Sequence, residues 1–456
     1  MASLRKQPLA KVQSAVWQTL QRQIKAGDHL CVGLSGGLDS MVLLALLKAL
    51  VPLGAFRLSA VHVNHQIHPE ADRWQQFCEA HCLEQGIPFV SERVSLLRES
   101  GESLEAVARA ARYVVFARQP ADFIVLAHHQ DDQAETLLIQ LMRGAGLPGL
   151  CAMPEVRRLG ARADAPNLLR PLLNVGRRDL RAFAESARLR WVEDPSNDQS
   201  AHVRNFLRHT VAPVLSERFP SWPATVARSA GHLAQASVLL DALAQQDFAV
   251  CGDTAGIRVS AALAFGEDRA TNLLRWWLRQ QGAPACHQGQ LQEWLRQAYA
   301  APDRMPELTW GGWVLNRFAG VWQLHRALAS NWPAMTLPNW PAEAILIPGA
   351  GRLVQEHVMG AGIRAEILNR GDITLRSRRG GERLRPQSGG ATRTLRHLFQ
   401  EARLPPWWRD ALPLVFRGET LICIPGVAVE AAAQAGASEP GLHLRWEPFV
   451  PGDAQG

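Results

Sequence analysis

The stretch Leu34-Ser35-Gly36-Gly37-Leu38-Asp39-Ser40 joins two apolar runs, Leu30 to Leu34 and Met41 to Leu50. The first run has the length of a buried strand. The second is apolar almost all round and predicts a buried helix. Paired glycines let the backbone of the connecting loop approach a ligand closely. The helix that follows turns its free N–H groups and its positive dipole end toward that ligand. The loop is therefore an anion site, most simply a phosphate site. It lacks the Gly-Lys-Ser/Thr of a Walker A loop and the G-x-G-x-x-G of a dinucleotide fold. Gly33-Leu34-Ser35-Gly36-Gly37 also satisfies the G-x-S-x-G elbow of serine hydrolases, which would make Ser35 a nucleophile. An ordinary glycine-rich turn is the third reading. Asp39 favours phosphate, because a carboxylate beside a phosphate cradle is repulsive unless a metal bridges them, so Asp39 predicts Mg²⁺.

Outward from the loop, strand-like and helix-like patterns alternate over residues 1–215. Arg57 to Asn64, Phe89 to Val94 and Phe123 to Ala127 read as strands. Ala71 to Gln85, Leu104 to Gln119 and Gln133 to Met142 read as helices. Such alternation predicts an α/β fold with a doubly wound parallel sheet, ligands lying at the carboxyl ends of its strands. Pro213, Pro220 and Pro223 mark a first boundary, and Pro333, Pro338 and Pro341 a second. The expected division is a catalytic domain over 1–215, a helical middle domain over 216–332 and a small α+β domain over 345–456. In the middle segment Ala270 to Gln281 and Gln288 to Tyr299 read as helices. Their Trp276, Trp277 and Trp294 have the spacing of core residues. In the last segment Ile373 to Ser377 and Leu421 to Pro425 read as strands, with a helix around Thr394 to Ala402.

Two further segments fall at strand ends, where a doubly wound sheet opens them onto the loop. The first is His62-Val63-Asn64-His65. The second is His128-His129-Gln130-Asp131-Asp132-Gln133-Ala134-Glu135-Thr136. His128, Asp132 and Glu135 could ligate zinc, but no H-E-x-x-H spacing and no neighbouring cysteine support that. Clustered carboxylates suit Mg²⁺ held with a phosphate, or a cationic substrate, better. Asp131 or Asp132 could equally cap the helix. Arg109 and Arg112 lie three apart on one helix face, and Arg204 and Arg208 one turn apart. Each pair could meet phosphate or form surface ion pairs.

The chain has 456 residues, with a hydrophobic fraction of 47%, ample for two or three cores. Seven scattered cysteines with no C-x-x-C pair suggest a reduced, cytoplasmic protein. No signal peptide and no run long enough to span a bilayer is apparent. Formal charge is +7, which alone is weak evidence for nucleic acid. Its placement says more. Arg379, Arg383 and Arg396 belong to an arginine-rich stretch from Arg376 to Arg409, interleaved with glycines and Trp407-Trp408. Arginine for phosphate and flat rings for bases suit an RNA surface, a merely basic small domain being the alternative.

Taken together these segments resemble one family. The Ser35-to-Ser40 loop is similar to the PP-loop of the N-type ATP pyrophosphatases. The sets around His62, Ala108-Arg109-Ala110-Ala111-Arg112-Tyr113, His128 to Thr136, Arg143-Gly144-Ala145-Gly146 and Asp194-Pro195-Ser196-Asn197 resemble the tRNA(Ile)-lysidine synthetases. So do Arg379-Gly380-Gly381-Glu382-Arg383, Leu395 to Phe399 and Pro405-Pro406-Trp407. The resemblance implies ATP-dependent ligation of free L-lysine to C2 of the wobble cytidine in a CAU-anticodon isoleucine tRNA. It implies an adenylated intermediate, and lysidine, AMP and pyrophosphate as products. It further implies that Ser35, Gly36, Gly37, Leu38 and Ser40 hold ATP and that Asp39 holds Mg²⁺. His62, Asn64 and His65 would line the adenosine. Asp132 and Glu135 would meet metal or the lysine ammonium. Arg109 and Arg112, with His128, Arg204, Arg208, Arg379, Arg383 and Arg396, would meet phosphate or tRNA. No protein partner and no membrane is implied. A 2-thiolating PP-loop enzyme is the sister possibility, but such enzymes generally use paired cysteines. A serine hydrolase using Ser35 is the remoter one.

Overall fold

The computed structural model describes residues 2–96, 104–160, 164–193, 203–300, 305–330, 332–341, 343–369 and 372–448. The chain forms two compact units, residues 1–239 and 240–456. Among the described residues no helix is long and apolar enough to cross a membrane.

The first unit begins with helix α1 (Ala2–Gln23) and then alternates. Strand β1 (His29–Gly33) leads to α2 (Leu38–Gly54), β2 (Arg57–Asn64) to α3 (Ala71–Gln85), and β3 (Phe89–Arg93) to α4 (Leu104–Ala117). Then follow β4 (Phe123–Val125), α5 (Gln130–Met142), α6 (Leu147–Leu150), β5 (Val156–Arg158), β6 (Asn167–Leu169) and α7 (Arg177–Ser186). The sheet order is β3-β2-β1-β4-β6-β5. All neighbours are parallel except β5, which runs antiparallel to β6 at the edge. That edge strand is the one departure from the all-parallel expectation. It is three residues long and two of them are arginine, so no hydrophobic pattern announces it.

Both sheet faces are covered, as parallel strands require. Leu30, Val32, Ala60 and Val125 pack with α1, α2 and α7 on one face. Cys31, Val61, Ile124 and Leu168 pack with Val115 and Phe116 of α4 on the other. Helix α2 runs through the first layer with Met41, Val42, Leu43, Leu44, Leu46 and Leu47 all buried, which accounts for its lack of a polar face. Chain order reverses beside β1: β2 and β3 lie to one side, β4 and β6 to the other. A crevice opens at the carboxyl ends of such a switch point. The Ser35 loop follows β1 into it and the His128 segment follows β4.

In the second unit, helices Glu267–Gln280 and Gln288–Ala300 pack against a five-stranded sheet that includes Glu307–Trp310, Trp313–Phe318 and Val321–Arg326. Trp277 and Trp294 are buried there, and Trp294 meets Trp322 edge-on at 5.6 Å between centroids. The sheet is additional to the expected helices. The remaining strands form two small sheets and a two-stranded ribbon around Phe399, Leu414 and Trp446.

Candidate active site

The loop is held by its own hydroxyls. Ser40 Oγ donates to the Gly37 carbonyl at 2.9 Å, and the Ser35 and Ser40 hydroxyls lie 3.0 Å apart. Gly37 N–H donates to Ser35 Oγ at 3.3 Å. Ser35 thus belongs to a hydroxyl and amide cradle, and no histidine nitrogen among the described residues is bonded to it. Leu38 opens α2, whose N-cap Gly37 offers no side chain to satisfy the first amides. Gly36 sits at φ +83°, and its carbonyl accepts from Val192 N–H at 3.0 Å. A Cβ there would meet Val192 Cγ2 at 3.0 Å and Cys78 Sγ at 3.1 Å. Gly36→Ala combines left-handed strain with that crowding. It is expected to weaken ATP binding at least about tenfold, roughly the effect of 1.4 kcal/mol. Nucleotide titration of the folded variant checks this, and parent-like affinity would refute the loop's role as a backbone cradle. A cavity of about 600 Å³ lined by Trp74, Phe77, Trp191 and Val192 opens beside the glycine.

Asp39 stands on the first turn of α2. Its Oδ2 lies 3.7 Å from His129 Nε2, while its Oδ1 is buried without a hydrogen-bond partner among the described residues. Such an unpartnered carboxylate oxygen beside a phosphate-type loop fits a hard cation that takes its other ligands from phosphate and water. Among the described residues no cluster of three or more His, Cys, Asp or Glu side chains is arranged to hold a metal alone.

The β4 end supplies the acidic side. Asp132 Oδ2 accepts from His129 N–H at 3.0 Å and so closes the start of α5. The return contact, Asp132 N–H to His129 Nδ1 at 3.4 Å, is at the outer limit and exists only for the neutral ring. Asp131 Oδ2 accepts from Arg177 N–H at 2.8 Å, anchoring α7. His129, 2% exposed, lies within 3.7 Å of Asp39, Asp131 and Asp132. Burial opposes charge on this ring, but the carboxylates of Asp39, Asp132 and Asp131 around it outweigh burial and raise its pKa. His129 is thus the residue that ties the loop to the acidic segment. The sequence placed it in the motif without giving it a role, because only the fold brings Asp39 beside it.

Arg208 lies on a π-helical turn, Leu207–Val211, after helix α8 (Val203–Phe206). It donates to Asp132 Oδ1 and Glu135 Oε1, both at 2.6 Å. Arg204 donates to Thr136 Oγ1 at 3.2 Å and lies 3.4 Å from Glu135 Oε2, which has no hydrogen-bond partner among the described residues. Burial pushes the Asp132 carboxyl up, but His129, Arg208 and His128 hold it below its usual range. For Glu135 burial prevails and raises its pKa, with Arg208 and Arg204 opposing.

On the other side of β1, His62 Nδ1 donates to the Leu34 carbonyl at 2.9 Å. Asn64 is engaged in the bend, donating to Asp72 and Gln75 and accepting from Gln66 N–H. Arg112 Nε donates to His65 Nε2 at 3.3 Å, so the ring proton sits on Nδ1, which is buried with no hydrogen-bond partner among the described residues. Burial, with the Arg112 charge, takes the His65 pKa down to about 4. Arg109 donates to Tyr113 Oη at 3.1 Å. His128 accepts at Nδ1 from Arg170 Nε at 3.2 Å, and burial carries its pKa down to about 3. Asp194 to Asn197 lie outside the described residues.

In the second unit Arg376 pairs with Glu382 at 3.0 Å, Arg378 with Asp410, and Arg393 with Glu401 at 2.6 Å. The exposed Arg379, Arg383 and Arg396 side chains have no ion-pair partner among the described residues. Trp407 and Trp408 are not free platforms. Trp407 stacks on His325 at 5.4 Å and Trp408 meets Trp446 edge-on at 5.9 Å. The flat rings expected to serve bases are packed into their own unit.

Family comparisons agree with this layout. Residues 8–215 match the PP-loop domain, 258–321 the TilS substrate binding domain and 373–446 the TilS substrate C-terminal domain. A tRNA(Ile)-lysidine synthase of Coxiella burnetii is 37% identical over 93% of this chain and 94% of its own. One from Aromatoleum aromaticum is 41% identical over 92% and 97%. Among solved structures, a U34-tRNA thiolase from Methanococcus maripaludis aligns at 19% identity over 50% of this chain and 80% of its own, with a TM-score of 0.44.

Proposed function

This chain belongs to the tRNA(Ile)-lysidine synthase family, and on that premise we propose that its crevice adenylates a cytidine of an isoleucine tRNA and transfers lysine to it. The wobble cytidine O2 attacks the α-phosphorus of ATP, a P–O bond forms, and pyrophosphate leaves. The lysine amine then attacks C2, AMP leaves with the former O2, and the amine gives up its protons. The observation that carries this reading is the meeting of a phosphate-type loop with the His129, Asp132 and Glu135 cluster at one switch point.

The loop amides and the Ser35 and Ser40 hydroxyls bind the β,γ-phosphates. Mg²⁺ held at Asp39 would neutralise phosphate charge when bound. The unpartnered His65 Nδ1–H is a donor suited to the nucleoside. Glu135 Oε2 is an acceptor suited to an ammonium, with Arg204 and Arg208 keeping the acidic pair in place. Arg379, Arg383 and Arg396 offer exposed cations for tRNA phosphates, in a third segment that begins near residue 345. Transition-state charge falls on phosphate oxygens, so preorganised donors and cations do the work and no protein nucleophile is needed. Seven free thiols suit a reducing cytoplasm.

The rival readings lose their chemistry here. Among the described residues no histidine is hydrogen-bonded to Ser35 to activate it. Cys78 and Cys82, the closest pair in sequence, are buried, and burial drives their pKa values up to about 12 and about 11. They are inert thiols rather than sulfur carriers. The decisive assay mixes the protein with ATP, labelled lysine and a CAU-anticodon tRNA transcript. ATP-dependent label in the tRNA is expected, and its absence would sink the reading.

A further inference from the structure

Three arginines surround one phenol at the crevice. Arg109 lies over the Tyr113 ring at 5.3 Å and Arg157 at 5.1 Å. Arg109 also donates to Tyr113 Oη at 3.1 Å, and the nearby Tyr113 side chain favours the charged form of Arg170. Arg170 is 2% exposed. It donates to the Pro154 carbonyl at 2.7 Å and to His128 Nδ1 at 3.2 Å. Among the described residues none of the three guanidiniums pairs with a carboxylate.

A buried cation without an anion is costly, and the two exposed guanidiniums beside Arg170 repel it further. Burial lowers the Arg170 pKa, and Arg157 and Arg109 lower it further. Neutral acceptors and cation–π contacts offset this only in part. The contrast with Arg208, which has two carboxylates, is within the same unit. Local folding needs do not explain leaving the buried Arg170 without counter-charge and with Arg109 and Arg157 gathered beside it. An incoming anion does. Guanidinium forks match phosphate oxygens. Arg157 and Arg109 are exposed and can meet a ligand from solvent, while Arg170 forms the floor.

We propose that Arg109, Arg157 and Arg170, arrayed around Tyr113, bind a backbone phosphodiester of the RNA strand that enters the crevice. The cradle adjoins His128, at the β4 end, so a phosphate seated there would place a nearby base at the switch point. This deepens the tRNA reading above and rests on it. The loop at Ser35 to Ser40 already provides for the phosphates of ATP, so the second anion site falls to the polynucleotide.

The test uses the full chain and a CAU-anticodon tRNA transcript, titrated between 50 and 200 mM salt. Arg157→Ala, a change at an exposed side chain, is expected to raise the tRNA Kd about tenfold and to flatten the log Kd against log salt slope by about 0.7–0.9. Arg109→Ala with Arg157→Ala should double the change in slope. The KM for ATP and inhibition by pyrophosphate should stay at parent values, and Arg181→Ala, on the surface of α7, should change nothing. Unchanged tRNA affinity and slope would overturn the proposal. So would weakened pyrophosphate inhibition with intact tRNA binding, which would put pyrophosphate in the cradle. Parent enzyme that fails to incorporate lysine, yet loses tRNA affinity with Arg157→Ala, would remove the reaction and leave the cradle standing.

Discussion

Asp39→Asn is expected to cut tRNA-dependent pyrophosphate release by about two to three orders of magnitude, the cost of removing one preorganised charge-stabilising group. The side chain keeps its size, so the helix should form as before. What disappears is the negative charge at the buried Oδ1, which has no hydrogen-bond partner among the described residues, and the charge that faces His129. Without it a hard cation loses its only carboxylate from the loop. Measured release should fall while circular dichroism and tRNA affinity stay at parent values. Release at the parent rate would remove Asp39 from the machinery and leave the loop a phosphate cradle without a metal.

Arg208→Met should destabilise the first unit by about 3 kcal/mol, because two buried carboxylates lose the cation they share. Asp132 and Glu135 are 7% and 5% exposed, and both bond to Arg208 at 2.6 Å. The pH dependence has a definite sign. The Asp132 carboxyl is held below its ordinary pKa, so it stabilises the fold above the carboxylate range and that contribution fades as pH falls through its folded pKa. Glu135 is raised, so its charge costs stability above its folded pKa, and acid relieves that cost. Removing Arg208 shifts both carboxyls upward. The gap in Tm between parent and variant should therefore be largest at pH 8 and shrink by pH 5. A gap that is absent, or that widens in acid, would show that Arg208 does not neutralise this pair.

The parts of this molecule that local chemistry sets were readable from the residues. Strand β2 and helix α3 fall at the expected bounds, α3 ending on Gly86 at φ +66°, a left-handed cap. The loop and its apolar helix follow from Gly36, Gly37 and the leucines after them. Helix α5 begins at Gln130 rather than Gln133, because its cap is the backbone of a histidine closed by an aspartate three residues on. Nothing in the apolar pattern marks such a start. The partners of Arg204 and Arg208 are about 70 positions away, and Trp407 stacks on a histidine 82 positions earlier. Spacing can propose that two arginines share a face; only the fold says that the face meets carboxylates. The same limit hid His129 beside Asp39 and the gathering of Arg109, Arg157 and Arg170 at Tyr113.

The Asp132 carboxylate has a further consequence. One of its oxygens closes the first turn of α5 and the other receives Arg208. A site whose groups also terminate its scaffold has little freedom to drift. Changing this side chain to retune the chemistry also redraws the start of a helix, and lengthening that helix by a residue would carry the carboxylate away from its cation. Variation compatible with the fold is therefore directed elsewhere, to the exposed arginines at the rim, where a change of contact leaves the architecture alone. In a lineage of such proteins, substrate grip could diverge residue by residue while the acidic centre changes only as a block.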